Sequence, residues 1–347
     1  MGKNILHIIP YDGIGGVESA ARSLPAGKHG DLVFAKHFLV RRTNTPDTPV
    51  ETHGPGGAQD RPENYRVLLN LIRRSQPDLV IASLWRSVLG ILLVKLMRPR
   101  QPVVVFLHLS HHVHVIDWLV NWLGMWLATE IWADSHATLN RRVPRLIRNR
   151  GRVISFVLTH SDLPLAKTVA PLFVFWGRLN KQKGLERSFQ IFNNIRVRHP
   201  AAKLRLIGPD GGEEARLRHL AHELGLTDCV SFEGPMSHAQ IRCAAEEAAF
   251  FLQTSRDEGM SLSVVEAMQT GLVPVVTPVG EIARYCIHKQ NAIVVLDDEK
   301  VVVDIDAVLT DQEAYRAMSR AAAVYWLDHP LYRDDVLASC RRLLEGR

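Results

Sequence analysis

At 347 residues, with 46% hydrophobic and 22% charged residues, the chain has room for two domains and the composition of a globular protein. Its formal charge of +6 is uneven: residues 1–165 hold 20 Lys/Arg against 12 Asp/Glu, so the front half is expected to meet something anionic. Four cysteines without C-x-x-C spacing argue against a disulfide framework or a cysteine zinc site, and the N-terminal apolar run, broken at Pro10, is no signal peptide; a reducing cytoplasm fits both.

Asn4–Ile9 reads as a strand, Pro10–Gly16 as a glycine-rich loop, and Val17 opens a helix. Strand, glycine loop and helix bring backbone close to a phosphate in doubly wound folds. The glycine spacing is not that of the dinucleotide fingerprint. Asp31–Val40 is expected to be a second strand and Thr43–Asp60, rich in Pro, Gly and Thr, a loop. Helix 63–75, strand Asp78–Ala82, helix 86–98 and strand Pro102–Leu107 follow, an alternation that predicts a parallel sheet covered by helices.

His108, His111, His112 and His114 come next, at the strand end where open α/β sheets collect ligands. No carboxylate or cysteine stands at tight ligand spacing, so no metal is assigned. Val115–Thr129 carries Trp118, Trp122 and Trp126 at i, i+4 and i+8. That stripe suits a helix packed on the sheet or one docked at a membrane interface, and spacing leaves both open. After strand Ile131–Ser135, helix 136–148 leads a cluster of Arg141, Arg142, Arg145, Arg148, Arg150 and Arg152, either a solvated face or a contact for membrane or anionic acceptor. Arg152–Leu158 is expected to be the last strand of this half and Thr159–Pro171 a linker.

Strand Leu172–Trp176 delivers Gly177-Arg178 and, five residues on, Lys183-Gly184. A guanidinium fork and an ammonium in one loop suit a diphosphate. Strand Lys203–Ile207 runs into Gly208, helix 213–224 follows, and strand Cys229–Phe232 runs into Glu233-Gly234. The apolar strand Ala248–Leu252 then opens the organising segment. Glu258 lies in its loop, Glu266 on the second turn of helix Ser261–Thr270, Gly271 at the helix end, and Val273–Val276 makes the next strand. The N–H groups of Gly259, Met260 and Ser261 sit where that helix is expected to begin, a natural site for phosphate. Carboxylates on both sides suit a ligand with hydroxyls at each end and phosphate between. A nucleotide-sugar has that shape. Asp304-x-Asp306 mimics a metal motif but reads as a helix start, and helices 311–327 and 330–345 close the chain.

Glu258-Gly259, Val265-Glu266-Ala267-Met268, Gly271 and Pro274-Val275-Val276 resemble the E-x7-E segment of retaining GT-B glycosyltransferases of family 4, with Met260-Ser261 where that family usually has Phe-Gly. The resemblance is strongest over 172–296 and weaker over 4–158. It implies an α/β chain of two Rossmann-like, doubly wound parallel-sheet domains facing across a cleft. Residues 1–165 would form the acceptor side, 166–329 would bind the donor, and the helix in 330–347 would pack back on the first domain. In such enzymes the residue matching Glu258 lies against the donor sugar and that matching Glu266 binds the ribose. Arg178 and Lys183 match the element facing the leaving diphosphate, headed by Gly177. His108 matches a sugar-contacting histidine, Gly15 and Gly16 an N-terminal loop facing the donor, and Gly208 and Gly234 loops that wall the base.

The implied activity is transfer of a sugar from a nucleotide-sugar to an acceptor hydroxyl with retention, needing no metal or further cofactor. The leaving phosphate takes the acceptor's proton. The expected partners are the donor, a glycan or lipid-linked acceptor of the cell envelope, and an anionic membrane surface. The expected place is the cytoplasm, peripheral on the inner membrane face. Nucleic acid is not expected, because no recognised module interleaves stacking aromatics with arginine. Two alternatives stay open: an epimerase or hydrolase of the same fold, with the histidines as acid and base, or a non-catalytic nucleotide-sugar-binding protein.

Overall fold

The computed structural model describes residues 2–345 except 14, 42–46, 59–60 and 162–168. Parts of the loop read over Thr43–Asp60 and of the linker read over Thr159–Pro171 lie outside these residues. The chain divides into two compact units, Met1–Thr159 with Pro330–Arg347, and His160–His329. The first division point thus lies a few residues ahead of the expected 165.

In the first unit the strands are β1 (Lys3–Tyr11), β2 (Gly27–His29), β3 (Leu32–Val40), β4 (Glu51–His53), β5 (Leu79–Ser83), β6 (Val103–Leu107), β7 (Glu130–Ala133) and β8 (Gly151–Val153). They form one sheet in the order β2-β3-β1-β5-β6-β7-β8, with β4 also on β3; only β2 runs antiparallel. Leu79–Ser83 and Val103–Leu107 are buried throughout, as strands covered on both faces must be. The helices are α1 (Gly16–Ser23), α2 (Pro62–Ser75), α3 (Leu84–Met97), α4 (Val115–Leu127) and α5 (His136–Arg142). Gly124 lets α4 lie against α3, since a Cβ there would stand 2.3 Å from Val88 Cγ1. Val120, Asn121, Gly124 and Met125 therefore face inward.

Three expectations need correction here. Helix 136–148 stops at Arg142, because Pro144 cannot continue it, and Arg145–Arg150 is a separate 3₁₀ segment. The strand read over Arg152–Leu158 is only Gly151–Val153. The loop read over Thr43–Asp60 contains β4, which pairs with β3.

The second unit has β9 (Leu172–Trp176), β10 (Lys203–Ile207), β11 (Val230–Gly234), β12 (Phe250–Gln253), β13 (Val273–Val276) and β14 (Ile293–Val294), all parallel in the order β11-β10-β9-β12-β13-β14. Its helices are α6 (Leu185–Arg198), α7 (Glu214–Glu223), α8 (His238–Glu247), α9 (Leu262–Gln269), α10 (Ile282–Tyr285), α11 (Asp298–Thr310) and α12 (Gln312–Val324). Asp304 and Asp306 lie inside α11 rather than at its start. They pair with Lys289 and with Arg198 and His199, so their carboxylates are structural. No helix among the described residues is long and apolar enough to cross a membrane.

The last helix, α13 (Tyr332–Glu345), belongs to the first unit. The Tyr332 N–H donates to Val157 O at 2.7 Å and the buried Tyr332 ring stacks on Phe106. Asp335 accepts from the Ser155 N–H at 2.8 Å and lies 3.3 Å from Arg152 Nη2. Asp335→Ala leaves the Ser155 amide without its acceptor, and should lower unfolding free energy by about 1–3 kcal/mol in a urea titration. A change within about 0.5 kcal/mol would show that this contact does not hold the helix.

Candidate functional site

β9, β10 and β11 lie next to one another and each ends in or beside a glycine. The Gly177 N–H donates to Ile207 O at 2.9 Å and the Gly208 N–H to Gly234 O at 2.8 Å. Gly208 takes φ 144°, and a Cβ on it would stand 2.0 Å from Gly177 O, so the two loops meet at a distance only glycine allows. Arg178 follows at once. Its side chain is exposed, and no hydrogen bond or ion pair engages it among the described residues.

Lys183 is brought to Glu258 by stitching two loops together. Thr254 Oγ1 donates to Gly184 O at 2.7 Å, the Arg256 N–H to Gln182 O at 2.8 Å, and Gln182 Nε2 to Asp257 O at 2.8 Å. Lys183 Nζ then lies 2.7 Å from Glu258 Oε1, which also accepts from Ser255 Oγ at 2.7 Å and Gln253 Nε2 at 3.2 Å. Gln253, buried at the end of β12, also donates to Ser261 Oγ at 2.9 Å and accepts from Ser263 Oγ at 2.9 Å. One amide thus ties Glu258 to the start of α9. The sequence reading passed over Gln253, whose only signal is a polar residue closing an apolar strand.

Ser261 caps α9 in the left-handed region, at φ 59° and ψ 76°, a strained conformation for a residue with a side chain. The helix starts one residue later than read. Its first amides belong to Leu262 and Ser263, while Gly259 and Met260 lie in the loop ahead of it. That loop is fixed from behind: the Glu281 N–H donates to Gly259 O at 3.0 Å and the Tyr285 hydroxyl to Met260 O at 2.8 Å. Glu266, on the next turn, accepts from Trp176 Nε1 at 3.0 Å. Burial raises its pKa, opposed by that hydrogen bond and by His238. A cavity of about 360 Å³ opens beside the stitched loops, lined by Gly184, Thr254, Ser255, Arg256, Thr277 and Val279 among others.

Gly15, Gly16 and His108 belong to the first unit. Gly15 precedes α1, and a Cβ there would fall 2.3 Å from Glu18 Oε2. The carboxyl is the end of a flexible side chain and Gly15 is extended at φ 177°, so the local packing does not by itself require glycine. His108, just past β6, is buried, with Nε2 2.9 Å from Ser83 Oγ; His7 Nε2 lies 2.8 Å from the same oxygen. A hydroxyl has one proton, so at least one of these imidazoles must donate to it. His108 Nδ1 is buried without a partner among the described residues. Among the same residues, no three His, Cys, Asp or Glu side chains gather as a metal-holding group.

Residues 163–324 match the family model described as glycosyl transferases group 1. That match falls in the second unit and takes in a little under half of the chain. Over 135 residues the chain is 29% identical to GDP-mannose:cellobiosyl-diphosphopolyprenol alpha-mannosyltransferase of Xanthomonas oryzae pv. oryzae (strain PXO99A), a match covering 39% of this chain and 36% of that one. An uncharacterized glycosyltransferase of Haemophilus influenzae is 27% identical over 210 residues, 58% of each chain. The chain therefore spans between about a third and three fifths of the length of these curated relatives. Among solved structures, sucrose-phosphate synthase from Thermosynechococcus elongatus matches with a TM-score of 0.81 at 17% identity, over 99% of this chain and 100% of that one. Anabaena HepE in complex with UDP matches with a TM-score of 0.76 at 14% identity, with the same coverage. The fold of the chain is GT-B.

Burial depresses His7 and His108, each to about 3, helped by Lys36 for His7 and by His7 for His108. The unfolded chain takes up protons below 6.5 that the native chain refuses, so stability is fully present above 6.5 and declines as pH falls toward 3. Each histidine adds up to about 1.4 kcal/mol per pH unit to that slope. Urea midpoints across this range should fall less steeply for His108→Asn than for the wild type, whereas equal slopes would mean that His108 is not held neutral.

Proposed function

We propose that this chain is a retaining glycosyltransferase that moves a sugar from a nucleotide-diphosphate sugar to an acceptor hydroxyl without a metal. The observation that carries the reading is the junction of Lys183 and Glu258 at 2.7 Å, with exposed Arg178 on the same loop as Lys183 and the first amides of α9 just beyond Glu258. Two cations and a helix N-terminus suit the charge that grows on a departing diphosphate. Glu258, kept in place by Lys183, Ser255 and Gln253, is suited to hydroxyls of the sugar. Glu266, on the indole of Trp176, is suited to ribose hydroxyls, and the glycine-lined ends of β9, β10 and β11 let a nucleotide approach backbone.

In the proposed step the bond from the anomeric carbon to phosphate oxygen breaks as the acceptor oxygen bonds to the same face of that carbon. The acceptor's proton goes to the leaving phosphate oxygen. Arg178 and Lys183 stabilise the diphosphate as it leaves; because the leaving oxygen takes the proton, no separate carboxylate base is required. The proposed acceptor is a glycan or lipid-linked carrier of the cell envelope, a choice supported by the diphosphopolyprenol-linked acceptor for which the Xanthomonas relative is named. That acceptor makes the enzyme peripheral on the inner face of a membrane.

Arg178→Ala and Lys183→Ala should each raise the barrier to sugar transfer by roughly 2–4 kcal/mol. Both variants should unfold cooperatively, and wild-type turnover should persist after exhaustive chelation. Near-normal rates in both variants would remove the diphosphate assignment. Activity that returns only on adding a divalent cation would remove the metal-free one.

A further inference from the structure

The tryptophans of α4 are not core residues. Trp118, Trp122 and Trp126 are 45%, 38% and 40% exposed, and their rings form a continuous ladder along the helix. Of the seventeen exposed large hydrophobics among the described residues, nine lie between Val113 and Leu127. An apolar face of this density on one helix marks a contact surface rather than ordinary surface scatter.

Beside this face is a pocket of about 330 Å³. Trp118 and Trp122 line one side, and Arg141, Arg142, Arg145 and Arg148 the other. Arg142 is only 6% exposed. Its Nη1 donates to Leu109 O at 3.0 Å and His111 O at 2.6 Å, but Nε and Nη2 are buried without a hydrogen bond. The nearest carboxylate, Asp117, lies 3.7 Å from Nη2 and is already bonded to Asn121 and the Val113 N–H. Arg148 is similarly held, by Asn140 O and Val143 O, with Nε buried and unbonded. A buried guanidinium with unsatisfied donors is costly unless an anion completes it.

The rest of the surface agrees in charge. Between His108 and Arg152 the carboxylates are Asp117, Glu130 and Asp134; none is exposed, while Arg141 and Arg145 are. Leu146, 85% exposed, projects between Arg145 and Arg148. Cations and apolar side chains thus share one surface, and the pocket lined by both has room for an anionic group.

We propose that this surface of α4 and the Arg141–Arg148 segment docks on an anionic phospholipid bilayer, with one lipid phosphate in the Arg142 pocket and the tryptophan ladder at the headgroup level. Tryptophan favours that depth, and the arginines complement the lipid charge. The proposal deepens the peripheral reading of the acceptor side and names its partner. It is read without any transfer reaction, so loss of the enzymatic reading would leave it standing.

The full chain is mixed at low salt with vesicles of phosphatidylcholine, with vesicles containing phosphatidylglycerol, or with inorganic phosphate alone, and followed by flotation and tryptophan emission. Flotation with only the phosphatidylglycerol vesicles, a blue shift on binding and release by salt are expected. Each cation at such a surface contributes about fivefold to partition. Arg141→Glu/Arg145→Glu, on exposed positions, should therefore bind at least roughly 25-fold more weakly with an unchanged melting temperature. Trp118→Ser/Trp122→Ser should lose the blue shift. No flotation with anionic vesicles, equal flotation with neutral ones, or an emission change with inorganic phosphate but not with vesicles would overturn the proposal.

Discussion

A lysine and a glutamate 75 residues apart in sequence meet at 2.7 Å, and the candidate site depends on that contact. Neither strand alone produces it. β12 pairs with β9, so the loops that leave these strands start side by side, and Thr254, Gln182 and Arg256 close the remaining gap with main-chain partners. Glycine at 184 is required because its neighbour is a carbonyl: a Cβ would stand 2.2 Å from Thr254 O. The ammonium and carboxylate are both largely buried, so each limits the cost of burying the other. An arriving diphosphate would find Lys183 already oriented, without the entropy of ordering a free side chain.

Around that contact the second unit shows how backbone and side chain divide the work. Gly208 lets the loops after β9 and β10 converge where a Cβ would strike the Gly177 carbonyl, and Gly177 and Gly234 both take positive φ. Gln253 and Ser255 hold the carboxylate, and Tyr285 and Glu281 fix the loop carrying it. The strained Ser261 is consistent with a loop shaped for something other than its own comfort. In the first unit, burial rather than ion pairing governs the chemistry: His7 and His108 share Ser83 and are kept neutral by lack of water.

Legibility in the sequence followed the range of the interactions. Glu258 and Glu266 could be read because eight residues of one strand–loop–helix unit set their spacing, and Arg178 and Lys183 because they follow one strand. The meeting of Lys183 with Glu258 could not, since it needs the order of strands in the sheet. Gln253 and Ser83 were passed over for the same reason: each is a polar residue ending an apolar strand, and its partners come from elsewhere in the fold. The helix read over 136–148 failed at Pro144, a signal present in the chain and underweighted. For α4, spacing established an apolar face but not its direction. Gly124 decided it, by letting the opposite face press against Val88.

The central claim is that the second unit holds a nucleoside diphosphate at the ends of β9 and β12. It is tested most directly by calorimetric unfolding of the full chain with UDP, GDP, ADP or TDP present in turn. At least one should stabilise, by about 2.7 kcal/mol when present at roughly 100 times its dissociation constant. If none of the four, free or carrying a sugar, raises the unfolding temperature at millimolar concentration, the site has been assigned to the wrong ligand.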